Sequence, residues 1–474
     1  MNAAQLIAIS PLIALAATIV MAMTAVSVKR HHGAVFGVTI LGLIATLLTL
    51  FGAAGVAPLQ VTPLFIIDSY ALFFIGLITA AALVTTLLSY AYLSDFDIRH
   101  EEYYLLLLIT TLGAAALAAS SHLGSFFLSL ETTSVGLFAL VAYRRDRQGP
   151  IEAAIKYLVL VGVSTAFLTF GLALFYAATG ALTFSQIGTL GDNLDANNPI
   201  LLSAYLLITV GIGFKLSLVP FHFWTPDVYQ GAPAPITGFL ATVSKGAVFA
   251  VLLRLMAETN AYQHSALLTV LTVVAVASML AGNWLALLQD NVKRLLAYSS
   301  IAHLGYLMVP LIAGGALGVE AAMFYFAAYF VTTLAAFAII TVLSKGQTEE
   351  TQHLAQFRGL FWRRPWLAAV FSLALLSLAG IPLTAGFPAK FYALAAGVSG
   401  DLWILTLTLV AGSAIGLFYY LRIIITMAGD PDTNTKSVGV AVPAVLSLIL
   451  LTALLLALGV YPTPVIELLQ GGIS

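Results

Sequence analysis

The chain contains no cysteine among its 474 residues, and only 8% of the residues are charged. The missing thiols exclude disulfides, and they also exclude iron–sulfur clusters and zinc sites held by thiolates of this chain. The shortage of charge is equally informative, because a soluble domain carries about 25% charged residues and uses them to cover its surface. A soluble enzyme, a nucleic-acid-binding protein and a disordered chain are therefore excluded. No glycine-rich phosphate loop follows a strand pattern, so nothing supports nucleotide binding.

Long apolar runs fill most of the chain, and 61% of the residues are hydrophobic. A membrane-spanning helix needs about 20 mainly apolar residues to cross roughly 30 Å of hydrocarbon. Because such runs can satisfy their backbone in lipid only as helices, we predict an all-α polytopic membrane protein with about 14 transmembrane helices. The predicted spans lie near residues 5–27, 34–54, 70–93, 103–120, 122–143, 152–179, 199–219 (continuing in a broken piece to about 229), 236–257, 265–288, 294–314, 320–344, 366–395 (interrupted), 402–427 and 438–462.

The basic residues predict the orientation of these spans. Thirteen of the 19 fall in loops on one side of the membrane, and the opposite loops contain none. They are Lys29, Arg30, Arg99, Arg144, Arg145, Arg147, Lys293, Arg294, Lys345, Arg358, Arg363, Arg364 and Lys436. The positive-inside rule places this basic side in the cytoplasm and both termini outside. No positive charge precedes the first span, so we expect that span to be retained rather than cleaved as a signal peptide.

Several ionisable residues lie within the predicted spans, where each costs roughly 2.5–3.5 kcal/mol on insertion scales. Glu131 is the only acid well inside a span, and Lys215, Lys245 and Lys390 are the most deeply placed lysines. Lys156 lies nearer a span end, where a lysine can extend to the interface. One interpretation is a set of structural ion pairs, but four lysines and one acid do not pair off. The other interpretation is a proton relay, whose groups gain and lose protons as their neighbours move.

Two clusters of helix-breaking residues interrupt the seventh and twelfth spans. The first contains Pro220, Pro226, Pro233 and Pro235, and the second contains Gly380, Pro382, Gly386 and Pro388. Broken helices at membrane depth are tolerated where the freed carbonyl groups line a protein-filled or hydrated cavity. Lys215 and Lys390 lie beside these breaks, so we expect a polar site at each. The alternative is a packing kink with a lysine that reaches the interface.

The tenth span carries a polar stripe, because Ser299, His303 and Tyr306 share one helix face. A histidine titrates near pH 6.5, which suits a proton shuttle, although a single histidine on a helix is more often a hydrogen-bonded packing residue. His222 and Asp227 lie together in a loop, but two scattered ligands do not make a metal site. We therefore predict no metal site and no cofactor-binding residues.

A weak internal repeat accompanies the two breaks. The segments LSLVPF (216–221) and LSLAGIPL (376–383) each lie in the fourth helix of a five-helix unit. Because five is odd, the second unit would enter from the opposite face, as in inverted-repeat transporters. We predict two inverted five-helix repeats, each with one discontinuous helix. The predicted organisation is a three-helix segment (1–100), a first repeat of spans 4–8 (101–258), a second repeat of spans 9–13 (259–430) and a C-terminal helix (431–474).

Three segments carry a resemblance to a known family. FKLSLVPFHFWTPDVYQGAPAPITGFLATVSK (214–245), NVKRLLAYSSIAHLGYLMV (291–309) and LSLAGIPLTAGFPAKFY (376–392) resemble the antiporter-like membrane subunits of respiratory complex I, the bacterial NADH–quinone oxidoreductase. The VYQGAP stretch resembles subunit N more than the L and M types. The wider family also includes subunits of Mrp-type antiporters and of membrane-bound hydrogenases.

The resemblance implies roles for the buried ionisable residues. Glu131 matches the fifth-helix glutamate that pairs with the seventh-helix lysine, here Lys215. Lys245 matches the eighth-helix lysine that passes protons toward the middle, where His303 belongs to a central polar axis. Lys390 matches the twelfth-helix lysine of the exit half-channel. The sixth-helix Lys156 matches a lysine of lesser weight.

The resemblance also implies a function, namely a proton-translocating subunit of an NADH:quinone oxidoreductase with no redox centre in this chain. Flavin, iron–sulfur clusters and quinone are then expected in partner subunits. The expected partners are the antiporter-like M subunit, the small K and J types and lipid, in a bacterial inner membrane. Two alternatives remain: a subunit of an Mrp-type cation/proton antiporter or membrane-bound hydrogenase, and a structural spacer whose buried charges only fix helix register.

Overall fold

The computed structural model describes residues 1–96, 98–191, 198–347, 349–430 and 439–473, with side chains to residue 470. The first half contains helices α1 Ala3–Ala8, α2 Ser10–Val28, α3 His32–Ala54, α4 Ser69–Leu93, α5 Glu101–Ala118, α6 Leu123–Val141, α7 Gln148–Thr179, α8 Phe184–Gly191, α9 Pro199–Lys215, α10 Trp224–Gly231 and α11 Ala234–Phe239. The second half contains α12 Lys245–Glu258, α13 Ser265–Leu287, α14 Val292–Ala313, α15 Gly315–Ser344, α16 Leu360–Arg363, α17 Pro365–Ala379, α18 Gly386–Ser399, α19 Trp403–Ala428, α20 Val442–Val460 and α21 Thr463–Ile473. Short 3₁₀ turns occupy Ala261–Gln263 and Leu354–Phe357.

The predicted membrane architecture is confirmed. Within the described ranges, 12 helices are long and apolar enough to cross a membrane, counting Ala234–Glu258 as one. Two shorter apolar helices, α9 and α17, lie at the predicted seventh and twelfth positions, and each continues beyond a break as α10 or α18. Together they reproduce the predicted order of fourteen spans. Proline and glycine act locally on the backbone, so the breaks fall where the sequence places them.

The centre of the bundle consists of the helices that bury nearly all of their surface. These are the span Ala234–Glu258, α14 and α15, whereas α2 and α3 turn most of their residues outward. A helix that is apolar all round can face either lipid or a protein core, so hydropathy alone does not separate the two groups. The central group carries Lys245 and His303.

A small antiparallel hairpin departs from the all-helical prediction. Strand β1 Leu59–Thr62 pairs with β2 Phe65–Ile67, with Leu59 opposite Ile67. The Ile66 amide donates to the Ala119 carbonyl at 3.0 Å, so the hairpin caps the end of α5. Its strands are too short to stand out in a sequence dominated by apolar runs.

Two charged residues lie deeper than predicted. Lys293, assigned to a loop, is in the first turn of α14 and is fully buried. Glu320, placed at the edge of a span, lies in the second turn of α15 because that helix begins at Gly315, and its side chain is buried. The Glu320 carboxylate accepts a hydrogen bond at 3.1 Å from Gln470 of α21. Lys436 lies outside the described residues.

At each break a side chain donates a hydrogen bond to a backbone carbonyl near the end of the first helix segment. At the first break, the Trp224 indole donates to the Phe214 carbonyl at 2.9 Å. At the second, Gly380 ends α17 with φ 87°, a left-handed conformation that glycine adopts without steric cost. The Lys390 ammonium then donates to the Ala379 carbonyl at 2.9 Å, at the negative end of the α17 dipole. Lys390 therefore also has a structural role, because it caps the carbonyl end of α17.

Candidate functional site

The first buried lysine, Lys215, is the last residue of α9 and reaches across to α6. Its ammonium donates to the Ser134 hydroxyl at 2.6 Å. Glu131, one turn earlier on α6, accepts instead from the Thr165 hydroxyl at 2.9 Å. Both Glu131 and Lys215 are among the described residues, and they form no direct ion pair in this structure. The two groups that the family resemblance pairs are thus each bonded to a hydroxyl, and the Lys215–Ser134 bond ties the lysine to the helix that carries Glu131.

Tyr157 connects this region to the next lysine. It is buried, packs against Trp224 with ring centroids 4.8 Å apart, and its side chain interacts with that of Ser244. Ser244 is the last residue of a π-helical segment, Leu240–Ser244, which immediately precedes Lys245. Such π segments are frequent at functional sites because the widened turn repositions the side chains around it.

Lys245 lies at the centre of the bundle, and its exposed fraction is 0%. Its ammonium donates to the Ser300 hydroxyl at 2.7 Å and lies 5.3 Å from the centre of the Tyr229 ring. Ser300 also shares hydrogen bonds with the Tyr329 hydroxyl at 2.6 Å and the Tyr229 hydroxyl at 3.3 Å. Among the residues that the structure describes, no carboxylate pairs with Lys245. Burying an unpaired charge is costly. Because Lys245 has no carboxylate partner, it can give up its proton without breaking an ion pair.

His303 continues the polar line from Ser300 along α14. Its Nδ1 is 2.8 Å from the Tyr325 hydroxyl and its Nε2 is 3.3 Å from the Tyr420 hydroxyl. The Tyr329 ring, whose hydroxyl bonds Ser300, lies 5.7 Å from the imidazole between ring centres. The polar stripe expected on this helix is therefore fully engaged with partners on neighbouring helices.

Lys390 and His303 both line a small cavity. The cavity has about 10 Å³ of space for the centre of a water molecule, and Thr332 and Ser377 contribute hydroxyls to its wall. A space of roughly 10–15 Å³ with polar partners can hold one water. The Lys390 ammonium also lies 5.3 Å from the centre of the Tyr306 ring, whose hydroxyl accepts from Asn283 at 2.7 Å. One water would thus connect the imidazole region with the lysine.

Lys156 does not join this buried line. It forms ion pairs at 2.8 Å with both Glu152 and Asp227, and 44% of its side chain is exposed. Asp227 also accepts from Arg294 at 2.6 Å, so that carboxylate is occupied by two cations. Within the described part of the chain, no group of three or more His, Cys, Asp or Glu side chains could hold a metal ion.

The structure adds hydroxyl and amide residues that the sequence did not single out. All of them contact a predicted ionisable residue or its direct partner. They are Ser134, Thr165, Tyr229, Asn283, Ser300, Tyr325, Tyr329 and Tyr420. Ser300 follows a serine already noted on the polar stripe, and this adjacency was the one usable signal. Serine and tyrosine are inexpensive in a span, so they carry little information by themselves.

Comparisons with known proteins agree on a family. The family described as "NADH:quinone oxidoreductase/Mrp antiporter, TM" matches residues 120–416. The NADH-quinone oxidoreductase subunit N of Methylococcus capsulatus is 49% identical over 98% of this chain and 95% of its own length.

Solved structures give the same result. A chain of respiratory complex I from Thermus thermophilus is 35% identical with a TM-score of 0.85, covering 98% of this chain and 100% of its own. A chain of the Mrp complex from a Dietzia species superposes with a TM-score of 0.89, covering 100% of this chain and 97% of its own. At 20% identity, the latter establishes a shared fold only.

Proposed function

This chain belongs to the NADH:quinone oxidoreductase/Mrp antiporter membrane family, and we propose that it translocates protons as an N-type subunit in the membrane arm of an NADH–quinone oxidoreductase. Quinone reduction takes place elsewhere in the complex and supplies the free energy. The enzyme is the whole complex, and this chain contributes its proton path rather than a redox centre.

The observation that carries the proposal is the buried line of amines, hydroxyls and one imidazole through the bundle. Lys215, Lys245, His303 and Lys390 are each at most 8% exposed, and each binds a hydroxyl or carbonyl group rather than a carboxylate. A structural spacer would be expected to neutralise buried ammonium groups with acids. Unpaired amines connected by hydroxyls and space for water are suited to proton exchange.

The proposed cycle begins at Glu131. When this carboxylate approaches Lys215, the ammonium form of the lysine is stabilised, and when it moves away the lysine releases its proton. The proton passes by way of Tyr157 and Ser244 to Lys245, then through Ser300, Tyr329 and His303. Lys390 receives it across the cavity and releases it on the other side of the membrane.

The chain is surrounded by other subunits and by lipid in the proposed complex. Flavin, iron–sulfur clusters and quinone belong to partner subunits, and the neighbours are subunits of the M, K and J types together with lipid. The membrane is the bacterial inner membrane, with the basic side in the cytoplasm and both termini outside. The Mrp-type antiporter and hydrogenase alternatives would use the same lysines, but the relative with 49% identity favours the oxidoreductase.

The test is proton pumping by the purified complex in proteoliposomes, with Lys245→Ala compared with Lys29→Ala. Loss of a proton-transfer group costs about 10²–10⁴-fold in rate. We expect Lys245→Ala to lose pumping and NADH–quinone turnover to that extent, while the exposed Lys29 substitution changes neither. Pumping at the wild-type rate by assembled Lys245→Ala complex would overturn the proposal. Sodium–proton exchange without NADH activity would instead identify an antiporter.

A further inference from the structure

A polar cavity of about 500 Å³ opens on the basic side of the bundle. Its walls are rich in charge and include Arg147, Lys156, Asp227, Glu349 and Glu350. This charged lining differs from the apolar lining of a lipid groove. A cavity of this size and polarity can hold many water molecules. By the positive-inside rule the cavity faces the cytoplasm.

An ion pair lies where this cavity meets the protein interior. The Lys293 ammonium donates to Glu350 Oε2 at 2.7 Å and to the Ala232 carbonyl at 2.6 Å. Glu350 Oε1 accepts from the Tyr92 hydroxyl at 2.5 Å and the Ala234 amide at 2.9 Å. The exposed fractions are unequal, because 14% of the Glu350 side chain is exposed and 0% of the Lys293 side chain. One partner therefore touches the cavity, and the other belongs to the interior.

Lys293, the buried partner, lies on the same helix as Ser300, which contacts Lys245. Lys293 and Ser300 are seven residues apart on α14, so they share one helix face at an axial separation of about 10 Å. Helix α10 approaches the same place, because its residues Gln230 and Gly231 line the cavity and its Tyr229 hydroxyl is 3.3 Å from Ser300. Ser300 in turn accepts from the Lys245 ammonium at 2.7 Å.

We propose that, besides the proton it receives from Lys215, Lys245 takes up protons from this cavity, and that the Glu350–Lys293 pair is the relay at the cavity floor. The proposal rests on the proton-translocating function proposed above and assigns the uptake residues. In the first step, the Lys293 ammonium gives its proton through water and the hydroxyls of Tyr229 and Ser300 to a neutral Lys245. Lys293 is left as an amine and Lys245 becomes an ammonium.

The second step restores the pair. A hydronium ion in the cavity protonates the Glu350 carboxylate, and the resulting carboxylic acid passes that proton to the Lys293 amine. Glu350 and Lys293 return to their charged forms, and the net change is one proton moved from cytoplasmic water to Lys245. No oxidant, reductant or other reactant is consumed.

The first experiment compares Glu350→Gln with Glu349→Gln in the assembled complex in proteoliposomes. The glutamine at 350 keeps the acceptor for Tyr92 and Ala234 but cannot carry the proton, whereas Glu349 lines the same cavity with 78% of its side chain exposed. We expect Glu350→Gln to lower NADH–quinone turnover by at least about 10²-fold, the lower limit for loss of a proton-transfer group. We expect Glu349→Gln to remain within twofold of wild type. Equal turnover by the two variants would overturn the proposal.

A second experiment separates proton relay from a purely structural role. Glu350→Ala opens space beside Lys293, and added formate supplies a small carboxylate there. A relay role predicts that formate restores turnover in Glu350→Ala but has no effect on wild type or Glu349→Gln. Assembled Glu350→Ala complex that formate does not reactivate would overturn the relay. If Lys245→Ala is inactive while both Glu350 variants are active, the proposed function stands and only this uptake route fails.

Discussion

The Lys215 ammonium donates to the Ser134 hydroxyl at 2.6 Å, and Ser134 lies one helical turn after Glu131 on α6. The serine therefore holds the lysine against the helix that carries the acid, while the acid binds Thr165. In this arrangement a small movement of the Glu131 side chain can add or remove its attraction for the ammonium, because Ser134 keeps Lys215 in place.

The first prediction concerns that serine. Ser134→Ala leaves a buried ammonium without its acceptor, at a cost of about 1–3 kcal/mol. We expect slower proton pumping and NADH–quinone turnover, measured together in proteoliposomes. The control is Thr132→Ala, an exposed position on the same helix whose hydroxyl bonds only its own helix. Unchanged pumping by Ser134→Ala would mean that the lysine finds another acceptor.

The second prediction concerns the backbone at the break beside Lys390. Gly380 has φ 87°, and an added Cβ would lie 2.8 Å from the Cδ atom of Lys390. Gly180 has a similar φ of 68° but nothing within 4 Å of its added Cβ. The left-handed conformation alone costs roughly 1–2 kcal/mol for either alanine. Only Gly380→Ala should also lower pumping, because only that substitution displaces the lysine; equal pumping by the two variants would contradict this.

The third prediction concerns the buried ion pair between Arg254 of α12 and Asp68, the residue that precedes α4. Arg254 binds Asp68 through two hydrogen bonds of 2.9 Å, and only 6% of the arginine side chain is exposed. Asp68→Asn removes the nearer counter-charge of a buried guanidinium and leaves only Glu258, 3.4 Å away. The cost should therefore lie below the roughly 3–5 kcal/mol of a fully broken buried pair. We expect a clear drop in the thermal unfolding midpoint of the purified complex. Glu152→Gln, which breaks the exposed pair with Lys156, should cost no more than about 1 kcal/mol.

The fourth prediction concerns acid stability and Glu350. Burial raises the pKa of this carboxyl, but the Lys293 ammonium and hydrogen bonds from Lys293, Tyr92 and Ala234 outweigh burial and leave the pKa below its ordinary value of 4.5. A carboxyl with a lowered pKa stabilises the folded state above its ordinary pKa, and this contribution is lost as the pH falls through the lowered value.

Thermal unfolding across the acid range tests this assignment. The wild type should exceed Glu350→Gln in unfolding midpoint by a constant amount above pH 4.5, and the difference should shrink at lower pH. A difference that is unchanged in strong acid would show that the ion pair is not its source.

The sequence by itself determined the number, order and approximate bounds of the spans. The span predicted at 236–257 is Ala234–Glu258 in the structure, because an apolar run must become a helix in lipid wherever it stands in the fold. The two breaks could also be predicted from the sequence, because proline and glycine affect the backbone at their own positions. The buried amines stood out for the same local reason, as a charge within an apolar run is expensive in any fold.

Only the tertiary structure decided which groups those charges meet. Ser300 lies 55 residues from Lys245, and Tyr420 lies 117 residues from His303. The sequence predicts Lys293 to be a loop residue. In the structure it pairs with Glu350, which lies 57 residues later in the chain. These partners are serines, tyrosines and a loop acid. Because placing them at these positions costs little free energy, no local sequence pattern distinguishes them. Their importance arises from contact across helices, and packing in three dimensions alone sets that contact.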